Sequence, residues 1–389
     1  MKILQVLGGG AWGGGSVITH ALVRTLIQRG DDVWVVCLDD ESSQRFTEIG
    51  ARPVHVPFWF RPINPLDAVP LAWLTWLCAR ERFDLVATHT SKGGFLGRLA
   101  ARIAGVPRII HHAHGFAFRE TQPLLVQWVY RRIEKLAARW CDAILCVSEE
   151  HRQGALRARI CPASLVQTVL NGIDVECFER ADAGAARKAL GYAGNEIVIG
   201  IATRLAQKKG VEDAIAAMPY VLRMFPAARL EIFGAGPMER ELKELAARSP
   251  AAASIRFRGF FHNIPELLGA FDLLLQPSIS EGPSIALLEA MAAGRAVVAC
   301  NIQGNREVIH HSQTGWLVPP SSHQDLAVAI CRLLADLPLR ARMGAAARAD
   351  VKQRFTQQRM IRETLALYDA RLKHRKEVTY ANRTTEAVS

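Results

Sequence analysis

Short apolar runs alternate with helical patterns along almost the whole chain, and no other feature narrows the fold as far. The runs KILQVL, DVWVVCL, PVHVP, DLVATHT, RIIHHAH, AILCVS and VQTVLNG succeed one another before residue 173. Between them, amphipathic patterns predict helices at Ser16 to Gln28, Pro65 to Arg82, Gly94 to Ala104 and Leu124 to Trp140, while the stretch after DVWVVCL reads as a loop. Strands separated by helices predict parallel pairing, because a parallel neighbour is reached only through a crossover. From Asn171 to Asn195 the pattern dissolves, and at EIVIGIATR a second series begins, continuing through RLEIFGAG, SIRFRGF, LLLQPS, AVVACNI and GWLVPP. A helix from Leu326 to Leu334 follows, then a last helical stretch from Thr356 to Lys373 carrying Met360, Ile361, Leu365, Leu367 and Tyr368. The expected fold class is therefore α/β, with two Rossmann-like doubly wound domains at residues 1–175 and 190–355. A C-terminal helix at 356–373 is expected to pack back toward the N-terminal domain, ahead of a flexible tail at 374–389. Ligands of such folds bind at the carboxyl ends of the strands, so the two domains are expected to face a central cleft that holds the chemistry.

With 389 residues, 50% of them hydrophobic and 22% charged, the chain can bury two separate cores. A net charge of +11 favours an anionic partner, and nucleic acid, nucleotide diphosphates and acidic lipid all qualify. The opening MKILQVLGGG breaks at glycine before a signal peptide's apolar core could form, and Ala68 to Cys78 is too short to span a bilayer. The expected location is cytoplasmic, with any membrane contact peripheral. The eight cysteines include no CxxC pair, which suits reduced core residues and gives neither a zinc cage nor a disulfide framework.

Chemistry concentrates in a few loops that follow strands. After LLLQPS, the segment Glu281-Gly282-Pro283-Ser284-Ile285 opens a helix carrying Glu289. Free backbone N–H groups at such a helix start favour an anion, which makes a phosphate seat, and two acceptor-only carboxylates suit sugar hydroxyls. After EIVIGIA stands Thr203-Arg204-Leu205-Ala206-Gln207-Lys208-Lys209-Gly210, whose fixed cations could stabilise a departing diphosphate without metal. The glycine run from Gly8 through Gly14 and Gly15 allows close backbone approach to a ligand but is not GxGxxG. His111 and His112 are adjacent on a strand and point to opposite faces, which argues against a metal site; His114 by itself reads as a structural histidine. Lys92 opens a helix within His89-Thr90-Ser91-Lys92-Gly93-Gly94, either meeting an anion or facing solvent, and Gly304-Asn305-Arg306-Glu307 follows AVVACNI as a glycine-containing loop.

In this order, the motifs resemble those of the family 4 retaining glycosyltransferases, which have the GT-B fold, over nearly the whole chain to about Lys373. Glu281 and Glu289, with seven residues between them and Ala290-Met291-Ala292-Ala293-Gly294 behind, look like the family's paired-glutamate signature. Arg204 and Lys209 match its Arg and Lys, although Thr203 stands where the family usually has Gly. The resemblance implies that Glu281 holds donor-sugar hydroxyls and Glu289 the nucleotide ribose, with Gly282, Pro283, Ser284 and Ile285 also binding the donor. It further implies that His114 contacts the sugar, that Gly14 and Gly15 face donor phosphate and acceptor, and that backbone near Glu307 approaches the donor. HTSKxGxLGR is common in a subset acting in polysaccharide assembly, where Lys92 would meet an acceptor phosphate. The implied activity is retaining hexosyl transfer, without metal or other cofactor, from a UDP- or GDP-sugar to a hydroxyl. The implied acceptor is a lipid-linked saccharide of exopolysaccharide, capsule or O-antigen synthesis. Pro57-Phe58-Trp59-Phe60-Arg61-Pro62, Trp73 to Leu77, and Arg131, Arg132, Lys135 and Arg139 are expected to touch an anionic membrane at the inner face of the plasma membrane, although a buried core helix explains Trp73 and Leu77 equally well. Two other classes compete. A nicotinamide oxidoreductase would use Asp31 or Asp32 on the ribose but lacks GxGxxG, and a nucleic-acid binder would explain the charge but shows no such motif.

Overall fold

The computed structural model of the chain describes residues 1–8, 12–57, 59, 65–118, 122–179, 183–192, 194, 196–261 and 263–370. Gly9, Gly10 and Ala11 of the glycine run, Phe58 and Phe60 to Pro62 of the aromatic segment, and residues 371–389, with the end of the last predicted helix and the tail, lie outside the described residues. The chain divides into two compact units, Met1–Leu170 with a segment beginning at Gln358, and Asn171–Gln357. The stretch where the sequence pattern dissolves counts with the second unit and contains the short helices Glu176–Glu179 and Ala183–Ala189.

The first unit holds seven strands: β1 (Lys2–Val6), β2 (Asp32–Cys37), β3 (Arg52–His55), β4 (Leu85–His89), β5 (Ile109–Ala113), β6 (Ala143–Cys146) and β7 (Val166–Thr168). They pair in parallel in the order β3-β2-β1-β4-β5-β6-β7, so the winding reverses between β1 and β4. Every residue of β4 and β5 is buried, as a parallel sheet covered on both faces requires. Ile3, Val35 and Leu85 face the helix Gly14–Gln28, while Leu4, Val6 and Val86 meet Leu74, Leu77 and Leu96 on the other side. Met360, Ile361 and Tyr368 of the helix at 357–370 join the first of these clusters.

The second unit repeats the plan with β8 (Ile197–Ala202), β9 (Ala228–Phe233), β10 (Ile255–Gly259), β11 (Leu273–Gln276), β12 (Ala296–Cys300) and β13 (Trp316–Val318). Its parallel order is β10-β9-β8-β11-β12-β13, with the reversal between β8 and β11. Ligand sites of doubly wound sheets lie outside the carboxyl ends of the strands at such reversals, so β1/β4 and β8/β11 mark where side chains matter.

Several helices were not foreseen. Asp40–Glu48 replaces the loop expected after β2: Asp39 caps it by accepting from the Ser42 amide at 2.8 Å, Glu41 and Arg45 pair at 3.0 Å, and Phe46 alone anchors its apolar side. Glu149–Arg157, capped by Ser148, supplies the crossover that parallel pairing of β6 with β7 demands. Leu337–Arg354, capped by Asp336, buries Met343, Gly344, Ala347 and Val351, mostly small side chains that leave no strong apolar stripe in the sequence. Among the described residues no helix is long and apolar enough to cross a membrane.

Candidate active site

In the second unit the loop after β8 is pinned at several points. Leu205 is fully buried, and the Ile279 amide donates to the Lys208 carbonyl at 2.9 Å. Gly210 has φ of 67°, and a Cβ there would stand 2.0 Å from the Pro277 carbonyl oxygen, so only glycine lets this loop close on the end of β11. The closure sets Lys209 beside the loop after β11, where its Nζ contacts Glu281 Oε1. The other Glu281 oxygen accepts from Gln276 Nε2 at 2.6 Å. Burial, and then the charge of Arg204, lowers the pKa of Lys209. Arg204 is exposed and makes no hydrogen bond or ion pair with any of the described residues, which leaves its guanidinium free for an anion.

Gly282 and Pro283 lead from Glu281 to Ser284, which precedes the helix Ile285–Ala292. The Ser284 side chain makes no capping bond, so the first-turn amides keep their donors open. Glu289 is the fifth residue of this helix, partly buried, and burial raises its carboxyl pKa to about 7. Glu307 departs from expectation, because Gln303–Val308 is a short helix rather than an open loop. Buried Asn305 closes that turn by donating Nδ2 to the Cys300 carbonyl at 2.9 Å, and the Glu307 carbonyl accepts from Arg354 at 2.8 Å. The second unit thus brings Lys209 and Glu281 together and holds Gly282 to Ile285 at the start of the Glu289 helix.

In the first unit the close glycine approach lies at β1/β4. A Cβ on Gly8, whose φ is 56°, would stand 2.7 Å from the Gly93 Cα. Gly14 and Gly15 are the first two residues of the helix Gly14–Gln28, which has no side-chain cap. Lys92 is not a free cation: it forms an ion pair with Asp67, and only 12% of its side chain is exposed.

His114, just past β5, has Nε2 at 3.0 Å from Nδ1 of His89, whose Nε2 lies 2.9 Å from Gln5 Oε1. The Gln5 carbonyl can only accept, so His89 carries its proton on Nε2 and receives the His114 Nε2 proton at Nδ1, leaving His114 Nδ1 as an acceptor. Burial, and then the charge of His151, pushes the His114 pKa down to about 4, and burial holds His89 well below the usual range, so both imidazoles are neutral near pH 7. His111 turns to Thr88 and His112 to Tyr368, at 3.0 and 2.8 Å, as opposite faces of a strand require. Among the described residues no group of three or more His, Cys, Asp or Glu side chains could hold a metal ion.

Gln276 and Gln5 escaped the motif-based reading, and His89 stood within the HTSK motif without a role of its own. The only signal of the two glutamines is a polar residue inside an otherwise apolar strand, LLLQP or KILQV, where burial demands a partner. Asp31, the acid that a nicotinamide enzyme would use, is instead bound by the Met1 amine and by Arg29, each at 2.7 Å.

The whole fold matches that of Anabaena HepE, solved in complex with UDP and glucose, with a TM-score of 0.83, 23% identity and coverage of 95% of this chain and 100% of that one. Two parallel-sheet units of this kind define the GT-B class of glycosyltransferases. Residues 12–177 match the model described as Glycosyltransferase Family 4 and residues 182–350 that described as Glycosyl transferases group 1. The chain belongs to glycosyltransferase family 4 and is a glycosyltransferase. It is 29% identical to the UDP-Gal:alpha-D-GlcNAc-diphosphoundecaprenol alpha-1,3-galactosyltransferase of Escherichia coli, over 78% of this chain and 80% of that one. It is 28% identical to the GDP-mannose-dependent alpha-(1-6)-phosphatidylinositol monomannoside mannosyltransferase of Mycobacterium tuberculosis, over 68% and 72%.

Proposed function

We propose that the protein is a retaining, metal-independent hexosyltransferase, moving a sugar from a UDP- or GDP-sugar to a hydroxyl of a lipid-linked saccharide. It would serve bacterial exopolysaccharide, capsule or O-antigen synthesis from the inner face of the plasma membrane. The observation that carries this reading is the contact of Lys209 with Glu281 in the loop that leads into the uncapped Ile285–Ala292 helix. The likeness to a galactosyltransferase acting on a diphosphoundecaprenol-linked sugar supports the acceptor class.

In this scheme Glu281 accepts hydrogen bonds from donor-sugar hydroxyls and Glu289 from the ribose. His114 would meet the sugar as a neutral hydrogen-bonding group. As the bond from C1 to the diphosphate oxygen breaks, negative charge grows on the leaving group. Arg204, Lys209 and the amides at Ser284 and Ile285 offset it, which is why no metal is needed. The acceptor oxygen attacks C1 from the face that the diphosphate leaves, and its proton passes to the departing phosphate oxygen, so the anomeric configuration is retained.

The test is sugar transfer by Glu281→Ala and Lys209→Ala, with circular dichroism as a check on folding. Each variant should fold and lose about 10²–10³-fold in kcat, as expected when a transition-state charge partner is removed. Near-normal turnover in either would remove that residue from the scheme, and an inverted anomeric product by NMR would overturn retention.

A further inference from the structure

The helix Leu124–Ala138 of the first unit is built inside out. Leu124 is 82% exposed, Leu125 72% and Trp128 55%, with Val126 and Val129 also exposed, whereas its buried side chains include Gln127 and Glu134. Glu134 is ion-paired at 3.0 Å with the fully buried Arg98, so a polar contact fixes the helix to the body of the unit. A helix facing only water carries the opposite pattern. Beyond the apolar turns, Arg131, Arg132, Lys135 and Arg139 are all exposed, and the one acid of the helix, Glu134, points inward. The Arg132 guanidinium lies over the Trp128 ring at 5.1 Å, where apolar and cationic parts meet.

A second helix presents the same chemistry. Ala68–Glu81 packs on Ser91–Ile103, which in turn packs on Leu124–Ala138, and the outer surface of Ala68–Glu81 shows Val69 and Trp76 with Arg80 over the Trp76 ring at 5.0 Å.

We propose that Leu124–Ala138 is the element that enters a lipid bilayer, its first two turns among the acyl chains and its four cations at the level of anionic headgroups. Charge selects the occupant: apolar side chains beside a row of cations, with no exposed acid within the helix itself, fit an anionic lipid surface. A second copy seated on this face would crowd two such cation rows into one interface. The inference deepens the membrane location proposed above and rests on it. The experiment contains neither donor nor acceptor, so its failure and that of the transfer reaction are read separately.

The full chain is mixed with vesicles of phosphatidylcholine, alone or with phosphatidylglycerol, and bound protein is measured by flotation. Binding should require phosphatidylglycerol and weaken with salt. Leu124→Asp with Leu125→Asp should lower partitioning at least about tenfold, and Arg131→Ala with Arg132→Ala should lower it roughly fivefold per cation. Trp128 emission should shift to shorter wavelength on vesicles, and Trp128→Phe should lack that component. Leu124→Ser with Leu125→Ser, checked by thermal melting, guards against a folding defect of the aspartates. Partitioning that is unchanged in the leucine variants, or a dimer in light scattering that those variants dissolve without any vesicle binding, overturns the proposal.

Discussion

Glu289 occupies a helix position where its carboxylate has lost much of its water, and burial raises its pKa to about 7. A ribose hydroxyl needs the ionised form as acceptor. Nucleotide affinity, measured by calorimetry with UDP or GDP, should therefore rise between about pH 6 and about pH 8 and lose that dependence in Glu289→Gln; identical pH profiles in both proteins would separate Glu289 from the nucleotide. The stability effect has the opposite sense, because a carboxyl whose folded pKa lies above its unfolded one costs stability as pH rises from about 4.5 to about 7. Glu289 and Glu281 were legible because their spacing and the string behind them are specific. Gln276, which orients Glu281, was not, since a glutamine inside an apolar strand announces only that it has a partner and leaves the partner unnamed.

Between the helices Ser91–Ile103 and Leu124–Ala138, the Arg98–Glu134 pair is the decisive contact, with Arg98 also donating Nε to the Gly94 carbonyl at 2.7 Å. Glu134→Ala would leave a buried guanidinium without its counter-charge. It should lower the unfolding free energy by about 3–5 kcal/mol in urea titration, while Leu124→Ser should change it by no more than about 0.5 kcal/mol. Equal effects would mean that the exposed leucine contributes packing. The same contrast explains which elements could be read in advance. Strands such as LVATH and IIHHA stand out because both faces are buried, and Gly14–Gln28 stands out by its apolar stripe. Leu337–Arg354 is held by a cap and mostly small buried side chains, which leave no hydrophobic period, and Asp40–Glu48 is a short polar helix with Phe46 as its one large buried side chain.

Acid should act differently on the two units. The first holds His89 and His111 well below the ordinary imidazole range, His112 at about 3 and His114 at about 4, all chiefly through burial. Below about pH 6.5 the unfolded chain takes up protons that the folded unit refuses, so stability falls as pH falls, by up to about 1.4 kcal/mol per pH unit for each imidazole. In the second unit Glu289 works in the other direction over much of that window. Hydrogen exchange, corrected for its intrinsic pH dependence, should show β4 and β5 losing protection on acidification before β11 and β12; equal loss would remove the histidines as the cause. The pair of parallel sheets was legible from the alternation of runs, but their extent in sequence was less so, because the stretch from 171 to 189 has no pattern of its own and joins the second unit through contacts. Tyr368 completes the first unit's core, yet 187 residues of another unit separate Leu170 from Gln358. A ribosome translating this message delivers the helix that covers the first sheet only after the second unit has been made, so the first unit stays incompletely packed until then.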